Sequence, residues 1–325
     1  MARFDELRIF SGSGNPELAA EICTYLGVRM GEATIRTFPN DNIFVKLHES
    51  VREQDVFVVQ SLGLPLSHHI MELLILLDTC KRASAGRLTA VIPYYAYGRT
   101  DKKDQPRVPI TARLLADLIV AAGADRVLTI DLHAGQIQGF FSISVDEMSA
   151  MHLLLEKIRT WDLRDAVIVS PGLGFAKRAR NVAEALGLPL AIVEKRRRED
   201  GVGPVEVLSI LGDVAGRHCI LVDDEIATAQ TMVRVAELLM AHGAREVSAA
   251  ATHPVFVPGS AERLRSSPLK RVVVTNTLFV PKDMRWPELS ILSVAPLLGE
   301  VIQRIHTGVS VGALFTEGHK RLGRW

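Results

Sequence analysis

Short runs of valine, isoleucine, leucine and alanine recur along this chain, most of them followed by a segment with apolar residues at helical spacing. Runs at 7–10, 43–47, 56–60, 88–92 and 127–131 predict strands in the first half. Runs at 166–170, 190–193, 219–222, 247–251 and 272–275 predict them in the second. Helical patterns cover 16–26, 67–81, 110–122, 149–160, 176–185, 229–241 and 295–305. The first opens with Asn15 as N-cap and Pro16 at the first helical position, where a missing N–H costs nothing. A strand that is apolar at successive positions must bury both faces, because neighbouring side chains point opposite ways. Parallel sheets covered on both sides by helices meet that demand, so the fold class expected is α/β.

The pattern also repeats. Residues 111–133 align without gaps onto 231–253, and eight of 23 positions are identical, among them Thr111/Thr231, Gly123/Gly243, Val127/Val247 and His133/His253. Any helix–glycine–strand unit shares part of this pattern, but a tandem duplication accounts better for the ungapped identities. The expected division is an N-terminal domain over 1–150 and a second domain over 151–297. The 325 residues suit two domains of ordinary size.

Composition narrows the function. Lys and Arg total 38 against 37 Asp and Glu, so the basic excess of a general nucleic-acid binder is missing. A local anion site needs only a few donors. Charges interrupt every long apolar stretch, as Asp117 does within 114–124, so no membrane span is expected. The opening Met1-Ala2-Arg3-Phe4-Asp5-Glu6 lacks the apolar core of a secretory leader, and a cytoplasmic location is expected. Cys23, Cys80 and Cys219 lie far apart in apolar stretches, which reads as buried free thiols.

The segment 220–231, ILVDDEIATAQT, ends a strand on Asp223 and Asp224 and passes through small residues into a helix. Ligands of open α/β sheets bind beyond the carboxyl ends of strands, and helix N-terminal amides beside threonine hydroxyls suit a phosphate. Adjacent carboxylates can accept from sugar hydroxyls or hold Mg2+. An acidic surface loop with a threonine cap would look the same in isolation. With its neighbours, the segment resembles the phosphoribosyl-diphosphate-binding motif of phosphoribosyltransferases and ribose-phosphate pyrophosphokinases. Four further segments resemble the latter family. Residues 92–103 (IPYYAYGRTDKK) resemble its ATP-phosphate segment, and 129–141 (TIDLHAGQIQGFF) its signature. Residues 194–197 (EKRR) resemble the start of its catalytic flexible loop, and 38–42 (FPNDN) its adenine-binding hairpin.

That resemblance implies two tandem phosphoribosyltransferase-like domains, each a mainly parallel sheet flanked by helices, with the C-terminal segment 298–325 returning to join the first. It implies transfer of the β,γ-diphosphoryl group of Mg-ATP to the C1 hydroxyl of ribose 5-phosphate, giving AMP and a precursor for nucleotide biosynthesis. By the same resemblance Lys195 and Arg197 are catalytic, and Phe38, Asn40, Asn42, Arg99, Thr100, Asp101 and His133 bind ATP, with His133 also a magnesium ligand. Asp223, Asp224, Thr228, Ala229, Gln230 and Thr231 bind ribose 5-phosphate. A homo-oligomer, a hexamer built from dimers, is implied. So is phosphate as an activator, at a site lined by Ser310, the 81–87 segment and Arg107.

Departures from the family pattern cluster in the second half. Gly172 stands where a metal-binding aspartate is usual, and Phe175 where a glycine is. Ala227 replaces an acidic residue that touches ribose, and Gln230 replaces a glycine, adding a side chain where amides should crowd a phosphate. A working synthetase with other groups completing its metal shell and a non-catalytic regulatory homologue both fit these departures.

Overall fold

The computed structural model of the chain describes residues 6–199 and 204–312, which divide into two compact units. The first takes the described part of Met1–Ala150 together with Asn276–Phe279 and the described part of Ser293–Ala313. Its elements run β1 (Leu7–Ser11), α1 (Pro16–Leu26), β2 (Ala33–Thr37), β3 (Ile43–Leu47), β4 (Asp55–Val59), α2 (Leu66–Arg82), β5 (Arg87–Ile92), α3 (Thr111–Ala121), β6 (Arg126–Ile130) and β7 (Ser144–Met148). Strands β1-β4-β5-β6-β7 form one parallel sheet in that order. Every residue of β4 is buried, as its apolar run at 56–59 requires.

The hairpin β2–β3 forms a separate antiparallel sheet. Its Ala33, Ile35, Val45 and Leu47 pack on the unit's core, while Arg36, Phe44 and Lys46 on the alternate positions are exposed. Sequence reading missed β2 and β7, because β2 is half exposed and β7 carries Asp146 and Glu147, so neither contains an apolar run.

The second unit contains α4 (Met151–Arg159), β8 (Ala166–Ser170), α5 (Ala176–Leu186), β9 (Leu190–Glu199), β10 (Pro204–Leu211), β11 (His218–Ile226), α6 (Gln230–Ala241), β12 (Glu246–Pro254), α7 (Ser260–Arg265), β13 (Leu269–Thr275) and β14 (Leu289–Leu292). The sheet order is β10-β9-β8-β11-β12-β13-β14, with only β10 antiparallel to its neighbour. Alternate residues feed two cores: Val167, Val169, Cys219 and Leu221 face one, Ala166, Ile168, Ile220 and Val222 the other. All three cysteines are buried and free, and burial pushes the Cys80 and Cys219 thiols up to about 12.

Strand β9 runs through Glu199 rather than ending at 193, because β10 pairs with it and carries the charged stretch into the sheet. The duplicated segment appears as α3–β6 in the first unit and α6–β12 in the second.

Helix α8 (Ala295–Thr307) belongs to the first unit, and the return begins at Ser293, ahead of the 298 expected. Its Leu298, Val301, Ile302 and Ile305 are buried. A Cβ at Gly299 would run into the Tyr25 ring, so glycine lets α8 approach α1 without displacing that side chain. The far end of α8 is tied by Asp55, which is fully buried at the start of β4. Asp55 accepts from Arg87 Nε at 2.8 Å and from His306 Nδ1 at 2.9 Å, and Arg87 Nη2 also donates to the Ile305 carbonyl.

Candidate functional site

In the first unit the carboxyl ends of β5 and β6 lie side by side, and both open into segments singled out by their sequence. After β5 the chain turns at Tyr97, whose φ is 62°. Tyr95 is buried, donates to the Ala112 carbonyl at 2.8 Å and meets the Phe141 ring edge-on, so this tyrosine is an anchor. Gly98 then passes close to His133: a Cβ there would sit 3.0 Å from His133 Cβ. Arg99 and His133, both exposed, are thereby brought to one place. Thr100 is held by hydrogen bonds to the Tyr97 carbonyl from its amide (2.9 Å) and hydroxyl (2.7 Å).

Asp101 is buried and accepts from Gln136 in the short 3₁₀ turn Gly135–Phe140, which ties the two segments a second time. Glu147 of β7 steadies the same turn, accepting from the Leu132 amide at 2.9 Å and from Gln138 Nε2 at 2.6 Å. Gln136 and Glu147 are supports that sequence reading did not single out. The pairs lie far apart in sequence, and only the quoted motif around Gln136 hinted at one of them. The hairpin residues Phe38, Asn40 and Asn42 lie together at the exposed β2–β3 tip, closed by a hydrogen bond from the Phe38 amide to the Asn42 carbonyl. The Phe38 ring stands 6.1 Å from that of Phe44.

In the second unit the strand order runs outward in both directions from β8 and β11, with β9 on one side and β12 on the other. The crevice beyond the carboxyl ends of β8 and β11 is therefore the topological switch point, the place where open α/β sheets bind ligands. Strand β11 ends there on half-buried Asp223 and Glu225 and buried Asp224. The chain then passes Ala227 and Thr228 to Ala229, which is left-handed (φ 62°) at the N-cap of α6. That conformation costs a non-glycine residue roughly 1–2 kcal/mol, so the surroundings must hold it. The carbonyls of Ile226 and Ala227 accept from the amides of Phe256 (3.0 Å) and Val257 (3.2 Å), and the Thr228 carbonyl accepts from Arg263 Nη1.

The backbone accommodates two of the sequence departures. Gln230 is an ordinary first helical residue with an exposed side chain, and the left-handed position is Ala229, so no glycine is required at 230. Phe175 is buried in the unit's core, with the Arg178 guanidinium 5.9 Å from its ring. Gly172, just past β8, is extended (φ −174°), and a Cβ there would meet nothing within 4 Å.

Lys195 and Arg197 lie on β9, opposite Leu208 and Glu206 of β10, and their side chains fall outside the described residues. Arg87, within the segment expected to line a phosphate site with Ser310 and Arg107, is committed to Asp55. No group of three or more His, Cys, Asp or Glu poised to hold a metal occurs among the described residues. No described helix is long and apolar enough to cross a membrane.

Comparison with known proteins adds a family. Residues 7–123 match the model of the N-terminal domain of ribose phosphate pyrophosphokinase, and residues 201–316 that of the phosphoribosyl synthetase-associated domain. The chain is 49% identical to a ribose-phosphate pyrophosphokinase of Caldanaerobacter subterraneus, over 97% of this chain and 100% of that one. It is 46% identical to one from Aquifex aeolicus, over 95% and 99% of the two chains. The crystal structure of phosphoribosylpyrophosphate synthetase from Mycobacterium smegmatis superposes with a TM-score of 0.88 at 44% identity, covering 93% of this chain and 99% of that one.

Proposed function

The chain belongs to the ribose-phosphate pyrophosphokinase family, and on that footing we propose that it is a working transferase making phosphoribosyl diphosphate. The C1 hydroxyl oxygen of ribose 5-phosphate attacks the β-phosphorus of ATP and gives up its proton to water, the bond from that phosphorus to the α-bridging oxygen breaks, and AMP leaves with the electron pair. The observation that carries this reading is the switch point of the second unit, where Asp223 and Asp224 end a buried strand directly before the loop at 227–229.

In this reading the ribose hydroxyls donate to Asp223 and Asp224, while Thr228, Ala229, Gln230 and Thr231 receive the 5-phosphate at the start of α6. Arg99 clamps ATP phosphates with its planar fork, beside His133, with Thr100 and Asp101 framing the turn. Phe38 stacks on the adenine, and Asn40 and Asn42 meet its polar edge. Lys195 and Arg197 supply positive charge where the transferring group develops negative charge.

The donor set fits magnesium that arrives with the nucleotide. A resident cage is not what these residues build, but Mg2+ typically binds through one or two carboxylates plus substrate phosphates. In the first unit His133 is the residue that would meet it, and the ion would neutralise phosphate charge during transfer. Gly172 and Ala227 remove carboxylates, yet the loop keeps its form, and no observation favours a non-catalytic homologue. A homo-oligomer, phosphate activation and a cytoplasmic setting complete the proposal, the last in keeping with three free buried thiols.

The test is AMP release by the pure protein with ATP, Mg2+, phosphate and ribose 5-phosphate. Turnover is expected, and Lys195→Ala should lower kcat by about 10²–10³ while ATP binding changes little. Absence of AMP at every magnesium concentration would sink the reading.

A further inference from the structure

We infer that Arg263 is a positioning residue for ribose 5-phosphate, acting through the loop rather than on the substrate; the inference rests on the site reading above. Three consecutive carbonyls of the loop are held from one side. Those of Ile226 and Ala227 accept from the Phe256 and Val257 amides, and that of Thr228 accepts from the Arg263 guanidinium. A trans peptide sets its C=O and the following N–H antiparallel. Fixing these carbonyls therefore aims the amides of Ala227, Thr228 and Ala229 the opposite way, together, as an anion cradle needs. Backbone donors hold the first two peptides, whereas the third, next to left-handed Ala229, depends on one side chain.

Arg263 is built to be that side chain. It lies on α7, whose Ala261 and Leu264 are buried in the same core as Phe256, so its backbone is fixed to the segment that supplies the other two donors. Its side chain is half-buried and makes no ion pair with a carboxylate among the described residues. A guanidinium spent on a carbonyl instead of a carboxylate is a positioning arrangement, and hydrogen bonds from charged donors are the stronger kind.

The experiment compares Arg263→Met, Arg263→Gln and Arg263→Lys with Arg265→Met, which removes the same charge from an exposed position of the same helix. Arg263→Met should raise KM for ribose 5-phosphate about tenfold or more, with KM for ATP changed by less than about twofold and Tm preserved. Arg263→Gln, which keeps a neutral N–H donor, should recover much of the loss, and Arg265→Met should show none. Recovery by Arg263→Lys without Arg263→Gln would mean that charge acts directly on the phosphate and would overturn the inference. So would equal losses for both substrates with a fallen Tm, or an unchanged KM in Arg263→Met. Calorimetry separates the two layers of argument. Failure of ribose 5-phosphate to bind the wild type overturns the site itself, whereas binding that survives unchanged in Arg263→Met overturns the brace alone.

Discussion

Gly172 is the departure with the clearest chemical content, because the backbone there leaves room for what the family resemblance expects. Its extended conformation suits any residue, and a Cβ would meet nothing within 4 Å. Gly172→Asp should therefore fold normally and add a hard oxygen ligand near the crevice. We expect the magnesium concentration for half-maximal AMP release to fall by roughly threefold or more. A flat or impaired magnesium titration would mean that another residue already serves there. A second residue-level outcome concerns His218, which is buried at the start of β11. Its Nδ1 faces the Asp162 carbonyl at 3.1 Å and its Nε2 the Ser248 hydroxyl at 3.0 Å. A carbonyl only accepts, so Nδ1 carries the proton of the neutral ring and Nε2 accepts from serine. Burial lowers its pKa below 6.5, against the opposing pull of the Asp162 carbonyl and Glu246. The native ring prefers to stay neutral while the unfolded one protonates. Its contribution is complete above pH 6.5 and is lost as pH falls through the lower native value. Urea midpoints should drop from pH 7.5 to 5.5 in the wild type and flatten in His218→Gln. A slope shared by both would exclude this histidine as the cause.

At the scale of elements, the docking of α8 depends on a buried carboxylate as well as on apolar burial. Asp55 is fully buried and answered by Arg87 and His306, one from β5 and one from α8 itself. Removing Arg87 leaves that charge short of its partner and frees the Ile305 carbonyl. Breaking a buried pair in this way costs about 3–5 kcal/mol. Arg87→Ala should show that loss in urea unfolding, whereas Arg82→Ala, which breaks an exposed pair with Asp78, should show no measurable change. Equal midpoints for the two variants would contradict the assignment. The helix pattern at 295–305 was plain in the sequence, and so was the capping of α1 by Asn15, which accepts from the Leu18 amide. What could not be read was the buried anchor that holds α8 on the first unit, because Asp55 and His306 are 251 positions apart.

For the whole molecule, the division of the chain carries its own consequence. The first unit borrows Asn276–Phe279 and Ser293–Ala313 from the far end of the sequence. A fragment of residues 1–150 would leave the face of α1 uncovered, and should lack a cooperative urea transition. Residues 151–292, which contain the second unit's two cores, should keep theirs. A cooperative transition at an unshifted midpoint in the 1–150 fragment would show that the return is dispensable. The sequence by itself determined the class of fold, the parallel core strands, the duplication and the motifs, because all of these rest on local periodicity and on residues adjacent in the chain. It missed β2 and β7, whose half-exposed or charged residues carry no run of apolar signal, and β10 and β14, whose short apolar stretches are broken by Glu206 and Ser209 and by Ser290. Tertiary structure alone decided that Gln230 needs no special backbone while Ala229 does, and that Phe175 turns into the core. It also decided that Gly98 meets His133, that Gln136 holds Asp101 and that Arg263 reaches Thr228. Each of these is a meeting of distant segments, and a hydrogen bond or a clash acts on separation in space, which the order of residues does not specify.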